Sequence, residues 1–421
     1  LPSTGPKAYV GVFKDNNVTV IDTMTNKVLG IIPIPAGPHS LVFTADGRKL
    51  FVSSDGASTV SVIDTSTDKV IGSIEVGTTP HGLALTPDGR WLLVAVFGTN
   101  MVAFIDTSTD TVISQVPVGS PHNIGISPDG KLAYVASQAQ GKAALVILDI
   151  SAKTQVGTVA LDKVPRALNF SPDGKQVYFT QAGIDAVQVL DPLTNKVTTQ
   201  IPVGASPHHP LFTPNGEYAL VVDQGPGELA IIDPAKNTLS RVVPVGKNPH
   251  WIAGSSDGDT AWVTDEGSNE VTVVDVEHAK AIATIPVGNG PRKIVVQPVA
   301  AHSMTMPAPT AVGGVNSTVA ASQTTAAVAT TANAGAVGGK VSVSIKGFAF
   351  NPGSITIKSG QTITWTNNDS VPHTVTSKDG RWDSGDINPG ASFSRTFEQE
   401  GSFAYYCTIH PSMLGEVIVK S

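Results

Sequence analysis

The chain has 421 residues, more than one domain ordinarily holds, so two domains are the natural expectation. Charged residues make up only 14%, against 41 glycines and 30 prolines, a balance that suits strands joined by tight turns rather than helices. A net charge of −7 with no basic run excludes a nucleic-acid footprint, and no apolar run reaches the roughly 18 residues of a membrane span. The single cysteine excludes an internal disulfide framework. The chain opens on Leu1-Pro2-Ser3-Thr4-Gly5 without Met or an apolar leader, which reads as a processed secreted protein, periplasmic or extracellular.

From the N-terminus the chain repeats. His39, His81, His122, Arg166, His208, His250 and Arg292 each follow a proline, at successive spacings of 42, 41, 44, 42, 42 and 42 residues. A period in the forties carrying several short strands is the signature of a β-propeller. Each unit runs from the marker through an apolar strand to a turn such as Thr86-Pro87-Asp88-Gly89 or Ser127-Pro128-Asp129-Gly130. In such turns Pro sets φ and Gly takes the left-handed position. A second strand follows, then a third ending in Ile63-Asp64-Thr65 or Ile105-Asp106-Thr107, then a fourth closing on Val-Gly. Six units are complete. A seventh is assembled from both ends of residues 1–298, with Arg292 to Val296 as its innermost strand and Lys7 to Pro35 as the other three. Joining the termini in one blade removes the open edges. Ala8-Tyr9-Val10 and Asn17 to Thr23 resemble the YVTN family of propeller repeats, a likeness that is specific for fold and says little about activity.

The marker residue opens the innermost strand, so the seven markers are expected to ring one mouth of the central channel. Five are His (His39, His81, His122, His208, His250), two are Arg (Arg166, Arg292), and His209 adjoins the fourth His. Repeat expansion from a Pro-His ancestor would leave such histidines without any function. Set against that, neutral imidazole is a common ligand for copper and zinc. Paired guanidinium groups suit a small inorganic anion. The ring is therefore a candidate second metal site, with Arg166 and Arg292 orienting or neutralising the anion.

Residues 299–339 turn to Ala, Thr, Val, Ser and Gly with almost no charge, the composition of a flexible linker. Forty such residues reach roughly 35 Å. That suffices to dock a following domain over a channel mouth of its own chain or of a neighbour in a homo-oligomer.

The last segment, 340–421, holds Tyr406-Cys407-Thr408-Ile409-His410-Pro411-Ser412-Met413, with His373 lying 34 residues before Cys407. One thiolate, two imidazoles and a thioether suit a mononuclear copper electron-transfer site, because soft sulfur favours Cu(I) and imidazole accepts both oxidation states. Together with Gly347 to Pro352 and Thr362-Ile363-Thr364-Trp365, this stretch resembles the cupredoxins of the plastocyanin and amicyanin kind. The resemblance implies a Greek-key β-sandwich binding type 1 copper through His373, Cys407, His410 and Met413. It also implies a redox partner protein, met through the apolar residues Ile409, Pro411 and Leu414 around His410.

The whole is thus expected to be all-β, a seven-bladed β-propeller followed by a cupredoxin. That order resembles nitrous oxide reductase, from which the chain departs in having one Cys in the cupredoxin and Arg in two ring positions. The departures fit a mononuclear or smaller copper site in the ring. The expectation is a copper-dependent oxidoreductase that passes single electrons to a ring metal and reduces a small inorganic N-oxo substrate, nitrite foremost. The alternative is a blue-copper carrier whose propeller only docks or binds a partner.

Overall fold

A computed structural model describes residues 6–298, 341–346, 349–369, 372–377, 381–407 and 413–420. They divide into two compact units, residues 1–301 and 302–421. The linker expected at 299–339, with His302, Met304 and Met306, lies outside the described residues. So do His410, Ile409 and Pro411. Among the described residues no helix is long and apolar enough to cross a membrane.

The first unit is a seven-bladed β-propeller of four-stranded antiparallel sheets. Blade 1 runs Pro38–Phe43, Lys49–Ser54, Thr59–Asp64 and Lys69–Glu75 from the inside out. Blades 2 to 6 repeat this from Pro80–Leu85, Pro121–Ile126, Pro165–Phe170, Pro207–Phe212 and Pro249–Gly254. Blade 7 pairs Pro291–Val296 with Lys7–Val12, which continues to Asn17–Asp22 and Lys27–Pro33. The two ends of the propeller therefore share one sheet. Each innermost strand touches its neighbours on both sides, and blade 7 touches blade 1, so the ring closes.

Turn chemistry sets the blade length. Ser127 donates to Asp129 at 2.6 Å while Lys131 N–H donates to the same carboxylate, and Gly130 sits at φ 71°. Blades then pack face to face. Phe51, Val60 and Val62 of blade 1 meet Leu92, Val94 and Val96 of blade 2, and the other interfaces repeat the scheme. The outermost strands are mostly exposed, each with one buried residue near its end (Ile32, Ile74, Ile201), because they form the blade's rim against water.

One recurrent irregularity aims the marker residues. In all seven blades the register between the innermost strand and its neighbour slips immediately after the marker proline. Such a bulge leaves the extra residue unpaired and turns its side chain. The residue after the marker then faces the next blade: Ser40 Oγ accepts from Leu83 N–H, and Asn123 Oδ1 accepts from Leu168 N–H.

The second unit is a two-sheet sandwich. One sheet orders Phe350–Asn351, Val341–Ile345, Gln361–Asn367 and Ser392–Phe397; the other orders Ser354–Lys358, Leu414–Lys420, Gly401–Tyr406 and Thr376–Ser377. Strand pairs 341–345 with 361–367, and 354–358 with 414–420, are parallel. The core between the sheets is aromatic, with Trp365, Phe350, Phe397 and Tyr405 buried. Cys407 and Met413 belong to the same buried cluster.

Candidate metal centres

In the sandwich, Cys407 follows the strand Gly401–Tyr406 and Met413 precedes Leu414–Lys420. Cys407 N–H donates to Met413 C=O at 3.1 Å, so adjacent strand ends bring the two residues together, both buried in one cluster. His373 is anchored from the other side by two backbone bonds to Ile387, and its ring is fully buried. Its Nδ1 lies 3.8 Å from Cys407 Sγ. Metal–sulfur and metal–nitrogen bonds of about 2.3 and 2.0 Å, opened to an ordinary ligand angle, span roughly 3.5–3.9 Å. The pair therefore fits one metal ion.

The nitrogen facing the sulfur is fixed by the other one. His373 Nε2 lies 2.8 Å from Asp369 Oδ2, and a carboxylate accepts, so the ring proton sits on Nε2 and the Nδ1 lone pair faces Cys407. Thr374 N–H donates to Cys407 Sγ at 3.2 Å, which favours the thiolate. Met413 is buried, and the fourth expected ligand, His410, lies outside the described residues.

In the propeller, the bulges bring the five marker histidines to one mouth. Ring centroids are 3.5 Å apart for His39–His81, 4.1 Å for His81–His122 and 4.3 Å for His208–His250. His39 is 6.1 Å from His250, across blade 7. Arg166 and Arg292 thus split the ring into a histidine trio and a histidine pair. His209 does not join either. Strand alternation turns it into the blade interface, where it stacks on Trp251 at 3.5 Å and 10°.

Burial is the largest influence on all five rings, with neighbouring imidazoles and the arginines adding to it. All are held below the ordinary imidazole range, His122 to about 4 and His208 to about 3. Above those values they are neutral and offer lone pairs. His81 Nδ1 lies 3.1 Å from the carbonyl of His122, and His122 Nδ1 lies 2.9 Å from that of Arg166. A carbonyl only accepts, so both rings carry the proton on Nδ1 and keep Nε2 free.

His81 Nε2 points at Asp55 Oδ2, 3.8 Å away. Two acceptors that face each other in a buried place require a cation or a proton between them. Asp55 Oδ1 and His39 Nδ1 are buried with no hydrogen-bond partner. Burial pushes the Asp55 carboxyl up to about 7, an effect that the Arg292 charge offsets only in part. One ligand atom each from His39, Asp55 and His81 lie within 4.8 Å of one another, a spacing that one metal ion would fill.

Asp55 was not among the residues expected from the sequence. It belongs to a second seven-fold set, the residue just beyond the second strand of each blade: Phe13, Asp55, Phe97, Gln138, Ala182, Gln224 and Glu266. These positions keep the same spacing as the markers, 42, 42, 41, 44, 42 and 42, so the signal was in the sequence once the repeat was aligned. They edge the same mouth. Phe13 lies under the Arg292 guanidinium at 3.8 Å, Glu266 lies 3.5 Å from Arg292 Nε, and Gln224 accepts from Arg166 at 3.1 Å.

Residues 337–420 match the copper-binding proteins of the plastocyanin/azurin family. Residues 6–86 match a YNCE-like β-propeller, and residues 119–160 an LVIVD repeat. Amicyanin-alpha from Methylorubrum extorquens is 33% identical over 87 residues, 20% of this chain and 73% of that protein. Plastocyanin from Scenedesmus fuscus is 34% identical over 84 residues, 17% of this chain and 86% of that protein. Among solved structures, hydrazine synthase of Kuenenia stuttgartiensis is similar at a TM-score of 0.58 and 23% identity, over 62% of this chain and 89% of that one. Apo AztD from Citrobacter koseri is similar at 0.54 and 17%, over 70% and 98%. These two likenesses are of fold alone.

Proposed function

The C-terminal domain of this chain belongs to the plastocyanin/azurin family of copper-binding proteins, and from that premise we propose that the chain is a secreted copper oxidoreductase. The cupredoxin domain binds type 1 copper, which supplies one-electron exchange with little change in its ligands. His373, Cys407, His410 and Met413 would hold it. His39, Asp55 and His81 would hold a second metal, copper by preference, whose part when bound is to polarise an anion and accept single electrons.

The remaining residues of the mouth prepare it for an anion. Burial keeps the imidazoles neutral, so Arg166 and Arg292 are the fixed charges that draw an anion inward. Nitrite is the substrate we assign. Its one-electron reduction takes up two protons and releases nitric oxide and water, so each turnover needs one electron from the cupredoxin. A periplasmic or extracellular site and a soluble redox partner that recharges the cupredoxin complete this reading. Relatives of the cupredoxin are amicyanins and plastocyanins, and none of the described residues could form a spanning helix.

The observation that carries the proposal is the trio of His39, Asp55 and His81 with ligand atoms within 4.8 Å of one another, in which His39 Nδ1 and Asp55 Oδ1 have no hydrogen-bond partner. Copper-loaded protein given nitrite and an electron donor should evolve nitric oxide. A chain that stays reduced and leaves nitrite untouched is a carrier, with the propeller as its docking module.

A further inference from the structure

The two arginines of the ring occupy equivalent places in blades 4 and 7, yet their surroundings differ in charge. Arg292 sits between two acidic blades. Glu266 Oε1 is 3.5 Å from its Nε, the Phe13 ring covers its guanidinium at 3.8 Å, and its charge acts on Asp55 of blade 1. The equivalent positions around Arg166 are Gln138, Ala182 and Gln224, none of them charged.

Among the described residues, the Arg166 side chain bonds only to neutral oxygens. Its Nη1 donates to Ser206 Oγ at 2.9 Å and to Gln224 Oε1 at 3.1 Å. Among the described residues no carboxylate forms an ion pair with it. Two carboxylates lie on the adjoining blade edges, and neither pairs with Arg166: Asp185 accepts from Ser206 N–H and Asp223 Oδ2 from Gly204 N–H, while Asp223 Oδ1 is buried without a partner. The facing rings are His122 and His208, both neutral. A half-buried guanidinium with one nitrogen tied and no counter-charge is costly to keep unless an anion completes it. Its planar fork matches two oxygens of a small oxyanion.

We propose that the small oxyanion is captured at Arg166, on the blade 4–5 side of the mouth, while Arg292 is paired with Glu266 and serves the metal-facing side. The inference rests on the reading of the mouth as an anion-reducing site, because it names where in that site the substrate lands. The mouth is then divided: His39, Asp55 and His81 on blades 1 and 2 for a cation, and Arg166 with the neutral edge residues Gln138, Ala182 and Gln224 on blades 3 to 5 for an anion.

The test uses the full-length, metal-free chain, so its result does not depend on copper at the mouth. Nitrite is titrated by calorimetry in chloride-free buffer into the wild type and two charge-conserving variants, with near-ultraviolet circular dichroism to confirm folding. Saturable binding is expected in the wild type. Arg166→Lys, which keeps the charge and loses the fork, should weaken it roughly tenfold, the worth of one hydrogen bond to a charged group. Arg292→Lys, at a guanidinium already paired with Glu266, should weaken it by clearly less than Arg166→Lys does. Equal losses in both variants, or no saturable binding in the wild type, would overturn the proposal while leaving the copper site to be judged by metal content.

Discussion

The cupredoxin centre and the propeller mouth are both buried clusters of metal-binding side chains, but they are finished to different degrees. Around Cys407 the described donors are already held. Asp369 fixes the His373 ring, Thr374 N–H reaches the sulfur, and Met413 is tied to Cys407 through the backbone. Around His81 the donors face one another with their bonding capacity unmet, as with Asp55 Oδ1 and His39 Nδ1. The first arrangement suits a metal that stays and changes only its charge. The second suits a place where the occupant completes the structure. A site that must exchange ligands with a substrate cannot satisfy every donor internally.

Breaking the finished site should give the largest single effect. Cys407→Ser removes the soft thiolate, and the blue absorption of the loaded protein should vanish, read in a visible spectrum. Copper held at the mouth should remain, because no residue is shared.

The unfinished site should respond to acid, and Asp55 is the reason. Its carboxyl is raised by burial to about 7, so below that pH a proton competes with the metal, whereas the neighbouring imidazoles stay neutral to much lower pH. Copper affinity at the mouth should fall about tenfold per pH unit below 7, with the slope of one proton, in competition titrations with a chelator. Asp55→Asn should weaken binding and flatten that slope. A mouth whose affinity does not vary with pH would remove Asp55 from the site.

A smaller change sharpens the contrast from the cupredoxin side. Asp369→Asn keeps the shape and removes the charge behind His373 Nε2, which makes the imidazole a poorer donor to the oxidised metal. Affinity for Cu(II) should fall about 10-fold or somewhat more. If the loss is confined to that state, each factor of ten raises the reduction potential by about 59 mV in voltammetry.

Much of this was legible in the residues. The marker spacing implied seven blades, and the pairing of Pro291–Val296 with Lys7–Val12 is the closure that an incomplete seventh repeat required. In the sandwich, Cys407, Met413 and the upstream His373 were legible as neighbours, and adjacent strand ends bring Cys407 to Met413 and to within 3.8 Å of His373. The mouth was legible only in outline. His209 looked like a ring member from its neighbour in sequence, but a strand turns consecutive side chains apart, and the bulge favours only the first of the two. Asp55 did not stand out because the equivalent positions in the other blades carry Phe, Gln, Ala and Glu, so no one residue type marks their period. The difference between Arg166 and Arg292 could not be read from their identity at all, since it lies in Gln224 and Glu266 on adjoining blades.

Metal content reaches the central claim most directly. Full-length chain saturated with copper and freed of excess should hold about two equivalents, one of them blue, and His81→Ala should lose the colourless one while the blue band keeps its intensity. One blue equivalent in the wild type, unchanged by His81→Ala, would contradict the account and leave the propeller with no metal of its own.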